Sequence, residues 1–254
     1  MGKDSKISWT DHTWNPWMGC TKVSPACDHC YAEDLMDNRY GKVSWGPGAP
    51  RVRTKAHTWN QLDRWNRAAI AEGTRPFVFS LSLGDVWDNE VDPAWRKEMF
   101  DKMRGNPRLV MLLLSKRIGN AIKMAEAAGG LPANVALGAT FCDNDEYQRD
   151  AEKLQKAGRE LGALFTFGSF EPLLGPVELD DHAPDWVIVG GESGSSARTM
   201  DLQWARNMRE KSAELKRTFT FKQVGGRKAD KGGPLLDGML YNDRPDVPAM
   251  DITA

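Results

Sequence analysis

The sequence predicts an α/β protein, folded as a partial or full (β/α) barrel of about six to seven parallel strands. Three observations support this prediction. From residue 76 onward, short apolar runs alternate with amphipathic segments of helix length. Each apolar run is followed at once by polar or charged residues. The chain has 254 residues, a length that an α/β barrel uses as one unit. An open doubly wound sheet is the other architecture that this alternation allows.

The individual elements follow from the periodicity. Six apolar runs predict buried parallel strands, at 77–81, 109–114, 135–139, 164–167, 186–189 and 219–221. A further strand before Cys20 brings the number of βα units to about seven. The intervening segments predict helices at 93–104, 118–128, 144–161 and 201–216. Asp92 with Pro93, and Asp201, are residues that begin helices. The segment 171–184 is rich in proline and aspartate and predicts a loop.

Composition narrows the class of protein. A formal net charge of −1 provides no global basic field for nucleic acid, and 27% charged residues exclude a membrane-dominated chain. No apolar run approaches the roughly 18 residues that span a bilayer, and the first residues lack the apolar region of a signal peptide. We therefore expect a cytosolic protein with no membrane partner. Four cysteines do not form a disulfide framework, and in a reducing compartment a tight cysteine group indicates metal or redox chemistry.

The chain divides into a main domain and a tail. We predict a single barrel domain over 1–226 and a C-terminal cover over 227–254. Within the domain, a cysteine loop occupies 19–33, and a Gly/Pro/basic insertion follows at 38–56. The insertion is either an ordinary surface loop or a lid and polyanion contact beside the site.

Polar residues directly follow the predicted strands. Because the carboxyl ends of parallel strands meet at one edge of a sheet, these residues are expected to share a site. The candidates are Ser82 and Asp85, Lys116, Thr140 with Cys142 and Asn144, Glu171, Gly190 with Gly191 and Glu192, and Lys222. Loop polarity alone does not explain charged residues that abut six buried strands.

Three cysteines, Cys20, Cys27 and Cys30, have the spacing C-x6-C-x2-C and are followed by an aromatic residue. Zinc with three cysteines and a histidine, His12 or His29, is one interpretation of this loop. A thioredoxin-type C-x2-C is another, but it leaves Cys20 unexplained. A four-iron cluster uses all three thiolates and keeps one iron open for a ligand. Five of the ten tryptophans precede residue 60, where they either fill a core or exclude water from such a cofactor.

The cysteine loop resembles that of the radical S-adenosylmethionine (SAM) enzymes, whose usual spacing is C-x3-C-x2-C. Cys27-Asp-His-Cys30-Tyr31 is similar in particular to the spore photoproduct lyase branch, which repairs a thymine lesion in DNA. The first gap of six residues departs from the usual three and marks an atypical member. The resemblance implies a 4Fe-4S cluster on the three cysteines, SAM as the second cofactor, and an external one-electron reductant.

The same resemblance implies roles at the strand ends. Ser82 and Asp85 are expected to hold the methionyl amino group, and Lys116 the methionyl carboxylate. Thr140 and Asn144 are expected to bind the ribose hydroxyls. Gly190 and Gly191 allow close approach to the adenine or sulfonium, with Glu192 nearby. Glu171, Lys222 and Arg198 remain as substrate-side candidates for acid–base work or anion binding. Cys142 is either a buried small hydrophobe or a hydrogen-atom donor to a product radical.

Segments along nearly the whole chain resemble a bacteriophage protein family of largely unknown function. They are Trp9-Thr-Asp-His-Thr-Trp-Asn-Pro16, Gly19-Cys-Thr-Lys-Val-Ser-Pro25, Leu112-Leu-Leu-Ser-Lys-Arg117, Phe170-Glu-Pro-Leu-Leu-Gly-Pro-Val177, Val187-Ile-Val-Gly-Gly-Glu-Ser-Gly194 and Phe221-Lys-Gln223. Together the resemblances imply a radical SAM enzyme of isomerase or lyase type in the cytoplasm of an infected bacterium. Its expected substrate is a nucleobase, a modified thymine in DNA that is flipped out of the duplex. A free nucleotide or a small peptide stays open as the substrate. A zinc-stabilised nucleic-acid-binding or adaptor protein is the alternative.

Overall fold

A computed structural model describes residue 5 and residues 7–227 and 230–248. Its centre is a sheet of seven parallel strands in the order β1-β4-β5-β6-β7-β8-β9. The strands of this sheet are β1 His12–Trp14, β4 Phe77–Ser80, β5 Val110–Ser115, β6 Val135–Thr140, β7 Thr166–Phe170, β8 Trp186–Gly190 and β9 Thr218–Gln223. Four short strands form two antiparallel pairs, β2 Trp17–Met18 with β3 Val52–Arg53, and β10 Leu235–Leu236 with β11 Met239–Leu240.

The helices lie between the strands. They are α1 Tyr31–Glu33, α2 Ala56–Trp59, α3 Gln61–Glu72, α4 Pro93–Arg104, α5 Ala121–Ala127, α6 Asn144–Leu161 and α7 Leu202–Glu214. The cysteine loop also contains a 3-10 turn, Pro25–Cys27, and a π-helical segment, Asp34–Arg39; a second 3-10 turn, Ile118–Asn120, precedes α5.

The sheet is a half-barrel. Strand order follows chain order without a reversal, whereas a doubly wound sheet reverses its order at a switch point. Right-handed crossovers of constant direction put the helices on one face and curve the sheet around the other. In the described residues β1 and β9 do not pair with each other, so both remain edges. The predicted α/β partial barrel of parallel strands is therefore confirmed, and the doubly wound alternative is wrong.

The predicted elements agree with the structure apart from their ends. The structure adds elements that were not predicted, namely the helices α1–α3 and the short strands β2, β3, β10 and β11. The run predicted at 164–167 forms its strand later, at Thr166–Phe170, and the helix predicted at 118–128 begins as a 3-10 turn. The long helix α3 was not predicted. Its buried residues Leu62, Trp65 and Ala69 have helical spacing, but the charged residues between them dilute the apolar signal.

Two cores lie on opposite faces of the sheet. The helix-covered face packs aliphatic strand residues such as Leu113 and Val187 against α3–α7. The inner face is aromatic, and Trp9 packs on Phe79 at a centroid distance of 4.8 Å. Gly138 leaves room for the ring of Phe167, which a Cβ there would meet at 2.4 Å. These rings fill the lower half of the barrel, and a cavity opens above them, at the carboxyl ends of the strands.

The C-terminal segment lies along β9 and the amino ends of the strands. Asn242 forms a bridge with Thr220, and Arg244 pairs with Asp11 at 2.9 Å. Within the described residues, no helix combines the length and apolar character needed to cross a bilayer.

Candidate cofactor and substrate site

A cavity of about 750 Å³ opens at the carboxyl ends of the strands. This volume lies in the usual range for a small-molecule site. Of the candidate residues, those that line the cavity are Cys20, Cys27, Cys30, Ser82, Asp85, Lys116, Thr140, Glu171, Gly191, Glu192 and Lys222. Trp9 and Phe79 form its floor. Tertiary structure thus brings together side chains that span two hundred residues of sequence.

Four candidates do not line the cavity: Arg198, which pairs with Glu192, and the three residues Asn144, Cys142 and Gly190. Asn144, in the first turn of α6, accepts a hydrogen bond from the Glu178 amide at 3.0 Å. Cys142 is fully buried. Its burial, and to a smaller extent the neighbouring Glu146, raise the pKa of its thiol far above the usual value. Gly190 supports a neighbour instead, because a Cβ there would lie 2.7 Å from Glu171 Oε1. The contacts of these three residues are structural.

The cysteine loop has its own local order. Gly19 enters it at φ +105°, a backbone conformation that favours glycine. Ser24 caps the 3-10 turn that carries Cys27 by accepting a hydrogen bond from the Ala26 amide at 3.1 Å. Met18, Ala32, Met36, Val43 and Leu83 pack beneath the loop as a small separate core. The loop is therefore folded against the barrel.

The donor set fits an iron–sulfur cluster. All three thiols are free of disulfides, and all three line the same cavity. A cluster binds each cysteine through a different iron, so the thiols need to share a cavity but not a single point. In the described part of the chain, no group of three or more His, Cys, Asp or Glu side chains is arranged around a single metal-ion position.

The two histidines considered as a fourth zinc ligand have other contacts. His12 stacks on Trp65 with the ring centroids 4.4 Å apart. The Nδ1 atom of His29 lies 3.1 Å from Glu192 Oε2. Both rings therefore have structural partners other than the cysteines.

One end of the cysteine loop is held by what we call the Arg117 clamp, formed by Asp85, Arg117, Cys20 and Thr21. Arg117 follows β5 and donates from Nη1 to Asp85 Oδ2 at 3.0 Å and to Cys20 Sγ at 3.4 Å. Its Nη2 donates to the Thr21 carbonyl at 2.7 Å. Burial by itself would lower the pKa of Arg117. The nearby Asp85 and Cys20 have the larger combined effect, so the pKa of the arginine is raised. Burial and Asp85 raise the pKa of the Cys20 thiol to about 11.

The other end is held by the Arg198 clamp, formed by Glu192, Arg198, Pro25 and Asp28. Glu192 follows β8. Its Oε1 accepts a hydrogen bond from Arg198 Nη2 at 2.6 Å, and its Oε2 accepts one from Arg198 Nε at 2.9 Å. Arg198 donates onward to the Pro25 carbonyl and to Asp28 Oδ2, each at 3.1 Å. Burial alone would raise the pKa of Glu192, but hydrogen bonds from Arg198 and His29 lower it to about 2.

The basic insertion also supports the loop. Arg51 is buried, and it donates to Asp88 at 2.7 Å and to Thr21 Oγ1 at 2.8 Å. This arginine is unavailable to a polyanion, and the role of the insertion as a whole stays a prediction. Arg51 also donates to two carbonyls inside the insertion, those of Gly46 at 3.2 Å and Ala49 at 2.8 Å.

The turn after β4 is organised by Asn15 and Tyr31. Asn15 accepts from the Leu83 amide at 2.8 Å and donates to Ser82 Oγ at 3.0 Å. Tyr31 donates its hydroxyl to the Ser82 carbonyl at 2.6 Å. Leu81 adopts φ +63°, an uncommon conformation for leucine that often occurs at functional turns. Asn15 is a polar residue directly after the buried strand that ends at Trp14. This position in the motif Trp14-Asn15-Pro16 was the sequence signal that could have identified it as a site residue.

The opposite wall of the cavity carries an ion pair. Lys222 Nζ lies 2.8 Å from Glu171 Oε1, and Ser169 donates to Glu171 Oε2 at 3.0 Å. Gly191 allows the chain to approach β9 closely, because a Cβ there would lie 2.0 Å from the Val224 carbonyl oxygen. The sequence placed Glu171 and Lys222 near each other, but only the structure shows that they pair.

The half-barrel has the fold of radical SAM proteins. One similar structure is a spore photoproduct lyase double mutant with bound AdoMet (SAM) and dinucleoside spore photoproduct. The match covers 90% of this chain and 60% of the lyase chain, with a TM-score of 0.53 and 11% sequence identity. Another is the lyase complexed with dinucleoside spore photoproduct, for which the match covers 84% of this chain and 64% of the lyase chain, with a TM-score of 0.48 and 10% sequence identity. The chain thus spans about 60% of the length of the first of these proteins. The likeness establishes the fold.

The chain belongs to the family described as protein of unknown function (DUF5131), whose model matches residues 4–245. No curated protein sequence matches it. The bacteriophage setting stays a prediction.

Proposed function

We propose that this protein is a radical SAM enzyme that acts on a nucleobase-type substrate, a modified thymine of phage DNA that it rearranges or remodels as an isomerase or lyase. One observation supports this most directly: three free thiols share a cavity with charged residues from successive strand ends of a radical-SAM-like half-barrel. Cys20, Cys27 and Cys30 would hold a cluster that, when bound and reduced by an external donor, supplies the electron for cleavage of SAM to methionine and a 5′-deoxyadenosyl radical, whose target is a hydrogen atom of the substrate.

Within this proposal, Cys20, Cys27 and Cys30 hold the cluster. Lys116 is half-buried on the cavity wall, and no ion-pair partner for it occurs among the residues that the structure describes. It therefore supplies the cation for the methionyl carboxylate. Ser82 binds the methionyl amino group. Asp85 is excluded from that role because its carboxylate is engaged by Arg117 and Ser115.

The remaining cofactor contacts fall to Thr140 and Gly191. Of the two expected ribose ligands, Thr140 keeps that role and Asn144 does not, because Asn144 lies off the cavity wall. Gly191 lines the cavity, and its backbone forms part of the wall beside the adenosyl group. Glu192 is bound by Arg198 and acts as an anchor of the cysteine loop.

The substrate side is the wall that carries Glu171 and Lys222. The 2.8 Å ion pair orients both groups, so Lys222 can donate a proton and Glu171 can accept one. The aromatic floor of Trp9 and Phe79 gives an apolar contact for a base that has left its stack. The bound dinucleoside of the structurally similar lyase supports the nucleobase class.

The test has two stages. The protein is reconstituted anaerobically with iron and sulfide, and we expect about four irons with broad absorption near ~400 nm. Addition of a reductant and SAM is expected to release 5′-deoxyadenosine in the wild type and none in Cys27→Ser. Mass spectrometry of phage and host nucleosides, with and without the gene, then identifies the modified base.

Three outcomes would contradict the proposal. One bound zinc without iron would favour the adaptor alternative. Retention of SAM cleavage by Cys27→Ser would remove the cysteine loop from the chemistry. Unchanged nucleosides alongside active SAM cleavage would refute the substrate class and leave the enzyme class standing.

A further inference from the structure

Arg117 makes a direct contact with a cysteine sulfur. Its Nη1 lies 3.4 Å from Cys20 Sγ, and its Nη2 donates to the next residue's carbonyl, that of Thr21, at 2.7 Å. The two nitrogens of one planar guanidinium thus bind the side chain of Cys20 and the backbone that follows it. This fork fixes the sulfur relative to the end of β5.

The guanidinium cannot turn away from the sulfur. Asp85 accepts from its Nη1 at 3.0 Å, and the exposed fractions of the two side chains are 10% and 6%. Asp85 is fixed in turn, because Ser115 Oγ and the Trp87 amide both donate to its other oxygen, at 2.7 and 2.9 Å. The pair is a rigid buried dipole with its positive end against Cys20.

We propose that Arg117 is a positioning residue that raises the reduction potential of the cluster carried by Cys20, and that Asp85 opposes it. This inference rests on the proposed function. A reduced cluster carries one more negative charge, and an adjacent cation together with an N–H donated to a ligating sulfur stabilises that charge. Burial keeps water from screening the interaction. Asp85 has the opposite effect, because its charge repels the added electron.

The measurement is an EPR-monitored redox titration of the anaerobically reconstituted full-length protein, without SAM. Arg117→Met removes both the charge and the donors, and we expect a more negative midpoint potential. Asp85→Asn retains an acceptor oxygen for Ser115 and Trp87 and removes the charge, and we expect a less negative potential. Arg117→Lys keeps the positive charge but cannot donate to Cys20 Sγ and the Thr21 carbonyl from two nitrogens at once. Its midpoint potential is expected to lie between those of Arg117→Met and the wild type.

Arg198→Met is the matched control. It removes the same group from the other end of the loop, where the guanidinium contacts carboxylates and the Pro25 carbonyl. Its midpoint potential is expected to equal that of the wild type. A general loosening of the loop would shift both arginine variants alike.

The decisive results are the signs of the shifts. A wild-type potential and EPR spectrum in Arg117→Met would overturn the inference, as would shifts of the same sign in Arg117→Met and Asp85→Asn. If Arg117→Met does not retain its cluster, the test uses Arg117→Lys and Asp85→Asn, whose midpoint potentials are expected to shift in opposite directions. A wild type that binds no cluster at all would refute the proposed function itself, whereas equal potentials in clusters that do form would refute only the role of Arg117.

Discussion

The two clamps hold the two ends of one loop in different environments. The Arg117 clamp is buried, and its arginine and carboxylate are each about a tenth exposed or less. In the Arg198 clamp, Glu192 is buried, but Arg198 is 32% exposed and Asp28 57%. The buried clamp contacts a cysteine sulfur, whereas the half-exposed one contacts the turn before Cys27. The difference indicates that the loop is fixed at Cys20 and held more loosely at Pro25–Asp28.

The comparison also explains the long gap in C-x6-C. The two carbonyls that the arginines bind, those of Thr21 and Pro25, both belong to the six intervening residues. Both arginines thus bind the loop within this gap. The unusual spacing is therefore matched to an anchoring by side chains from two distant strand ends.

Removal of the buried guanidinium should have the largest effect. Arg117→Ala leaves Asp85 charged and buried without its partner, which typically costs about 3–5 kcal/mol of folding free energy. Urea denaturation of the cluster-free protein measures this loss. A loss similar to that of Arg198→Ala would contradict the distinction between the clamps.

Removal of the half-exposed guanidinium should cost less. Arg198→Ala leaves Glu192 buried with His29 as its remaining side-chain partner, and water can enter from the exposed side. We expect a loss of about 1–3 kcal/mol in the same denaturation measurement. Arg198→Lys, which keeps the charge, is the control and should recover part of the loss.

The Arg198 clamp should also respond to acid. The pKa of Glu192 is lowered from its ordinary 4.5 to about 2, so its contribution to stability is full above pH 4.5 and is lost as the pH falls through 2. The stability difference between the wild type and Glu192→Gln should therefore be constant at neutral pH and shrink between pH 4.5 and 2. A difference that does not change over this range would show that the carboxylate is not held by the clamp.

The smallest effect is expected at the exposed rim of the clamp. Asp28→Asn removes an ion pair whose carboxylate is 57% exposed. Exposed pairs contribute roughly 0–1 kcal/mol, so the free energy of unfolding should change by no more than that, and less at high salt. A loss as large as that of Arg198→Ala would mean that Asp28 is an essential part of the clamp.

Sequence reasoning succeeded where a residue's position in a strand decides its environment. Glu171 and Lys222 follow buried runs, and both line the cavity. It was less successful within turns. Lys116 and Arg117 are adjacent and both basic, and the sequence offered no means of telling which would face open space and which would bind Asp85. Cys142 and Asn144 also follow a strand, but the start of α6 turns them away from the cavity.

The sequence by itself determined the alternation of strands and helices, the α/β class with parallel strands and the edge at which chemistry is expected, because these follow from apolar periodicity and the geometry of parallel strands. The tertiary structure decided which polar groups meet. Pairings such as Arg117 with Cys20 and Arg198 with Glu192 depend on side-chain directions at strand ends and on the path of the cysteine loop. Neither has a periodic signature, because both arise from contacts between residues that are far apart or in irregular turns.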